Sequence, residues 1–228
     1  MEPIFSFVEK HMNPLPVLGE LLRIFPDGIL WGIGFFSALT MSYPFGIMFV
    51  GLIESLLVYN GIHGLNTYLG VFTDTSTDKS VSSLECKTGF TRATLQTLSL
   101  FGLHKGFAFP SAPIYIVSVV MSYILSVVLV FKKDLQSLGI DYSSRLYLAS
   151  IGLSSLFLIF VIFRLFNGCD TIFNIVLSAM IGLIVGSLIM YQNKLIVGKD
   201  GVNILGIPIL YGRTATGESL YVCNQPSS

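Results

Sequence analysis

The sequence predicts an all-α fold, a polytopic membrane helix bundle of about five or six transmembrane helices. Three observations predict it. Hydrophobic residues make up 53% of the 228 and charged residues only 11%, against about a quarter charged in an ordinary soluble domain. Three uncharged apolar runs, at Ala112–Phe131, Leu146–Phe163 and Thr171–Tyr191, are near the ~20 residues that cross ~30 Å of hydrocarbon. The 18 Phe and 10 Tyr fit the aromatic belts of a membrane interface. This composition excludes a disordered chain, a coiled coil and a small disulfide scaffold, and argues against a soluble enzyme. Thirteen Lys+Arg balance thirteen Asp+Glu. There is no basic stripe of the kind that neutralises phosphates, so nucleic acid is not an expected partner. The lipid bilayer is.

The first segment, residues 1–27, reads as interfacial and amphipathic. Ile4, Phe5, Phe7 and Val8 precede a break at Pro14 and Pro16, and Val17, Leu18, Leu21 and Leu22 form a second short stripe. Such a segment lies in the headgroup region or packs on the bundle. The transmembrane domain is expected over 28–191. Its first run, Gly28–Ser42, is short and breaks at Pro44, whose ring clashes with a continuing helix. Phe45–Tyr59 follows with Glu54 inside it, then the weaker run Gly61–Phe72. Two or three crossings fit there.

A polar loop spans 73–109 and carries Asp74, Asp78, Lys79, Glu85, Lys87, Arg92 and Lys105. Loops of that length usually carry function or are disordered. The three strong spans come next. In the last, Ser178, Gly182 and Gly186 repeat every fourth residue, the small-residue spacing of close helix packing. Residues 192–228 form a polar tail, with a short strand expected at Val202–Leu210.

Chain tracing puts the 73–109 loop and the Arg164–Asp170 turn on one side. Lys132, Lys133, Arg145, Lys194 and Lys199 fall on the other, in short flanks. The positive-inside rule makes that second side cytoplasmic, together with the C-terminal tail. The loop face is then lumenal or extracellular. Cys86 and Cys169 share this face and could form a disulfide in an oxidising compartment; two free thiols are the alternative. Cys223 falls on the reducing side.

Two polar segments on the loop face carry the candidate chemistry. One is Pro110-Ser111-Ala112-Pro113, opening a span. The other runs from Arg164 through Gly168 and Asp170 to Asn174. Ionisable groups at membrane depth are costly and mark function or a mutual ion pair. In order and spacing these segments resemble the type 2 phosphatidic acid phosphatase superfamily, which includes lipid phosphatases and glucose-6-phosphatase. That family's signature is K-x6-R-P, then P-S-G-H, then S-R-x5-H-x3-D. Arg164 falls at the arginine, Asp170 at the histidine nucleophile and Asn174 at its orienting aspartate. Ser111 falls at the serine and Pro113 at the acid histidine. Lys87 and Arg92 stand where the first motif is expected, five apart instead of seven, with Ala93 for the proline.

The departures set the functional expectation. Proline has no proton to give, and Asn174 cannot stabilise an imidazolium by charge. The resemblance therefore implies a catalytically inactive relative with a structural, lipid-headgroup-binding or partner-binding role. Ser111, Arg164, Gly168, Lys87 and Arg92 would carry anion binding, since Arg suits bidentate phosphate contact. One alternative is an active membrane phosphatase on a lipid phosphate or pyrophosphate. Asp170 would be its nucleophile and His104 a recruited acid. Another is a transporter or channel component with Glu54, Arg164 and Asp170 along a pathway. No cofactor is implied. His11, His63 and His104 fall in separate segments without metal-ligand spacing, so no metal is expected.

Overall fold

The computed structural model describes residues 14–70, 86, 109–137 and 140–206. Five helices follow in order: α1 (Pro14–Thr40), α2 (Tyr43–Leu69), α3 (Ala112–Ser137), α4 (Ile140–Phe166) and α5 (Ile172–Gly201). Each contains a segment long and apolar enough to cross a membrane. The described chain thus has the build of a multi-pass membrane protein, and residues 28–70 hold the end of one crossing and one more, not three.

The expected boundary after residue 27 falls inside α1. Pro14 starts this helix and Pro16 lies in its first turn, where a backbone N–H has no helical acceptor to lose. The helix then passes through Pro26 to Thr40. Its buried stripe is Leu22, Arg23, Pro26, Asp27 and Leu30, spaced at one helical turn. Arg23 and Asp27 are turned into the bundle, and the candidate span is Gly19–Thr40. The boundary expected at 191 also lies inside a helix, since α5 continues to a kink at Gly198, where φ is 77°, and ends at Gly201. Residues 202–206 are turns. The rest of the expected strand, like residues 1–13, lies outside the described residues.

The α1–α2 connection is two residues long. Met41 takes a positive φ of 49° and the Ser42 N–H reaches back to Ser37 O at 3.2 Å. Pro44 then sits at the start of α2 and does not break it.

Helix α3 is the most buried of the five, and α5 lies directly on it. The repeat at Ser178, Gly182 and Gly186 is the seam. A Cβ at Gly182 would lie 2.6 Å from Tyr115 O, and one at Gly186 would lie 2.3 Å from Val119 O. Only glycine lets the backbones approach that closely. Helix α2 covers another face of α3, burying Met48, Leu52, Leu56 and Tyr59 against Tyr115, Val119 and Tyr123. A second cluster joins Leu22 of α1, Ile114 and Val117 of α3, Phe160 of α4 and Ile175 of α5. Phe25 and Phe160 rings lie 5.9 Å apart there. Helix α4 is peripheral and the least buried.

Candidate functional site

By connectivity, the end of α2, the start of α3, the end of α4 and the start of α5 lie at one end of the bundle. Polar side chains gather there. The α4 terminus is set by Gly168, whose φ of 63° is the left-handed conformation that closes helices. The Cys169 N–H bonds Arg164 O at 2.9 Å. Thr171 caps α5, its side chain accepting from the Asn174 N–H, which satisfies one orphan donor of the first turn.

Across this turn Arg164 Nε donates to Asp170 Oδ2. The two side chains are 6% and 4% exposed. Cys169, between them in sequence, is bonded to Cys86 in a disulfide with Cα atoms 5.1 Å apart. The turn is therefore fixed by a charge pair, a left-handed glycine and a covalent link.

The start of α3 is held from two sides. From α5, Ser178 Oγ accepts from the Ser111 N–H at 2.7 Å and Asn174 Oδ1 lies 3.2 Å from the same donor. Ser178 Oγ also donates to Asn174 Oδ1 at 3.0 Å. From α2, Tyr59 donates its hydroxyl to Pro110 O at 2.6 Å. His63 Nδ1 lies 3.2 Å from Phe109 O, so that nitrogen carries the hydrogen. The Tyr59 and His63 rings stack at 6.2 Å. Ser111 Oγ is sealed from solvent and has no hydrogen-bond partner among the described residues.

Of the residues singled out from sequence, the structure brings Ser111, Arg164, Gly168, Asp170, Asn174, Cys86 and Cys169 to this end. Lys87, Arg92, His104, His11 and Cys223 lie outside the described residues. Glu54 is placed elsewhere. It accepts from Gln192 Nε2 at 2.9 Å on the exposed surface, toward the opposite end.

Sequence reasoning missed Arg23 and Asp27. Both are buried, Asp27 completely, and Arg23 Nε pairs with Glu20 at 2.8 Å. Their four-residue spacing beside Leu22, Pro26 and Leu30 was the available signal. It also missed Tyr59, which no motif marks, and weighed His63 only as a metal ligand, without its contact to Phe109 O.

Chemically, the arrangement offers a carboxylate already neutralised by a guanidinium, an amide and a hydroxyl spent on a backbone N–H, and one idle hydroxyl. No group of three His, Cys, Asp or Glu able to hold a metal occurs among the described residues. No family model, curated protein or solved structure matches the chain.

Proposed function

We propose that this chain is a non-catalytic multi-pass membrane protein, similar in build to the lipid phosphatases, whose disulfide-tied end serves as a rigid platform for a partner. The observation that carries the reading is the Arg164–Asp170 pair, buried on both sides. An attacking carboxylate must be free to approach phosphorus. Asp170 is instead held by the one described arginine that could clamp the phosphate. Asn174, at the orienting position, is spent on Ser111 and Ser178. Pro113 leaves no acid at the third position.

Two features support a lumenal or extracellular face for the platform. The Cys86–Cys169 bond lies at that end, and disulfides persist in oxidising compartments. Lys132, Lys133, Lys194 and Lys199 lie at the other end, as the positive-inside rule asks of a cytoplasmic side.

A second reading has one observation in its favour. The Ser111 hydroxyl is buried and without a partner among the described residues, and such groups are rare enough to want a ligand. A phosphate oxygen of a lipid headgroup would satisfy it. This makes the end a headgroup holder, still without turnover.

The test is phosphate release by the purified, detergent-solubilised protein from a panel of lipid phosphates and pyrophosphates. Asp170→Asn and Arg164→Ala run beside it. The expected result is no release above the variants from protein that is folded. Release that Asp170→Asn abolishes would overturn the reading in favour of an aspartate nucleophile. Equilibrium binding of the same lipids, compared with Ser111→Ala, separates the platform from the headgroup holder.

A further inference from the structure

At the opposite end of the bundle, α3 and α5 carry a feature that the site above does not use. The helices run parallel, and their register is fixed by three serines. Ser122 Oγ meets Ser187 Oγ at 2.7 Å, and Ser126 Oγ meets it at 3.3 Å. Seven residues is two turns of an α-helix. Two turns past Ser126 is Lys133, and two turns past Ser187 is Lys194. The two lysines therefore sit about 10 Å beyond the serine contact, at one height, on either side of one seam.

Among the described residues, the remaining neighbours leave these two cations available. Asp134 is about 100° further round α3 and is taken by Lys199, whose Nζ lies 2.6 Å from it. Lys199 also stands over the Phe131 ring, on that other flank, where Asn193 meets Tyr123. Lys132 is displaced about 100° in the opposite sense. Lys194 Nζ lies 5.4 Å from the centroid of the Tyr191 ring, a contact that orients the amine without neutralising it. Lys133 is exposed and Lys194 half-buried. Below them, Leu129 is 69% and Tyr191 58% exposed, so the face under the lysines is open and apolar.

Two cations at one height, above an apolar face of a membrane helix pair, match one ligand chemistry. The ligand has an anionic headgroup with acyl chains beneath it. We propose that the Lys133–Lys194 seam is a docking site for an anionic phospholipid of the surrounding leaflet. Lys133 and Lys194 take its phosphate, and Leu129 and Tyr191 lie against its chains. This does not rest on the function proposed above, since it uses the other end of the molecule.

The test is lipid retention by the full chain in neutral detergent, read by native mass spectrometry against phosphatidylglycerol and phosphatidylcholine. Phosphatidylglycerol should be retained in preference. Lys133→Gln with Lys194→Gln should weaken that preference roughly twenty-five-fold, from about fivefold per lysine near an anionic headgroup. Lys132→Gln should leave it within twofold, and the charge-keeping double change to Arg should preserve it. Equal retention of the two lipids by the unaltered protein overturns the proposal. So does a loss in Lys132→Gln as large as in the double variant, which would mark diffuse charge. Displacement of the lipid by millimolar inorganic phosphate would also overturn it, in favour of a soluble anion.

Discussion

Arg164 and Asp170 are joined across the α4–α5 turn with both side chains out of solvent. Removing one partner of such a pair leaves the other charge buried and unpaired, which costs about 3–5 kcal/mol. Replacing both with apolar residues costs much less. Arg164→Met and Asp170→Leu should each lower thermal stability strongly in detergent, and the two together should recover most of the loss. Additive losses in the cycle would mean that the two side chains are not coupled.

The disulfide closes a loop of 83 residues in sequence. In the chain-entropy account a link of that reach stabilises by roughly 2–5 kcal/mol. Non-reducing peptide mapping should find Cys86 linked to Cys169. Cys169→Ser should unfold at lower temperature, and added dithiol should bring the unaltered protein down to match. Free thiols at both positions would count against this.

The glycine seam is sharply position-dependent. Gly186→Ala drives a methyl into Val119 O, and overpacking of this kind costs about 1–3 kcal/mol. Gly32→Ala, on α1 with nothing within 4 Å of the added carbon, should be neutral or stabilising by up to about 1 kcal/mol. Thermal unfolding of the two variants side by side checks the contrast.

Ser111→Ala removes a hydroxyl that has no partner among the described residues. Deleting a buried unsatisfied group should leave stability unchanged or raise it by about 1 kcal/mol. Asn174→Leu does the reverse. It strips acceptors from the Ser111 N–H and the Ser178 hydroxyl, and should destabilise by about 1–3 kcal/mol. A destabilised Ser111→Ala would show that the hydroxyl is bonded after all.

The strong spans were legible because periodicity is irrelevant to them. An uncharged run as long as the hydrocarbon is thick needs only counting, and Ala112–Phe131 and Thr171–Tyr191 were found that way. Gly182 and Gly186 were legible because close packing demands small residues at a fixed spacing. Helix α1 was not. Its apolar stripe is interrupted by Glu20, Arg23 and Asp27, and the four-residue spacing that puts Arg23 and Asp27 on the face of Leu22, Pro26 and Leu30 is easily passed over where charges usually mark a solvated face. Pro14 and Pro16 read as breakers because a proline at a helix start and one at a helix end look alike without the flanking turn. At the candidate site, Arg164, Asp170 and Ser111 were visible through spacing. The carbonyl clamps from Tyr59 and His63 were not, because a side chain bonding a distant backbone leaves no pattern in the sequence.

The hydropathy of the spans bears on how the protein is put into its membrane. Helix α3 is both the most apolar, with a mean hydropathy of 2.6, and the most enclosed. Its main partner, α5, is synthesised only after all of α4. Until then the face of α3 that α5 will cover must stand in lipid, and its composition lets it. Ser118 returns its hydroxyl to Ile114 O, which hides one polar group without help from another helix. Helix α1 is the converse case, at 1.3, with Arg23 and Asp27 on its inward face. It is made before the other four described helices and is the least apolar of the five. A nascent chain halted after α1 should therefore be extracted from the membrane by alkali, and one halted after α5 should resist.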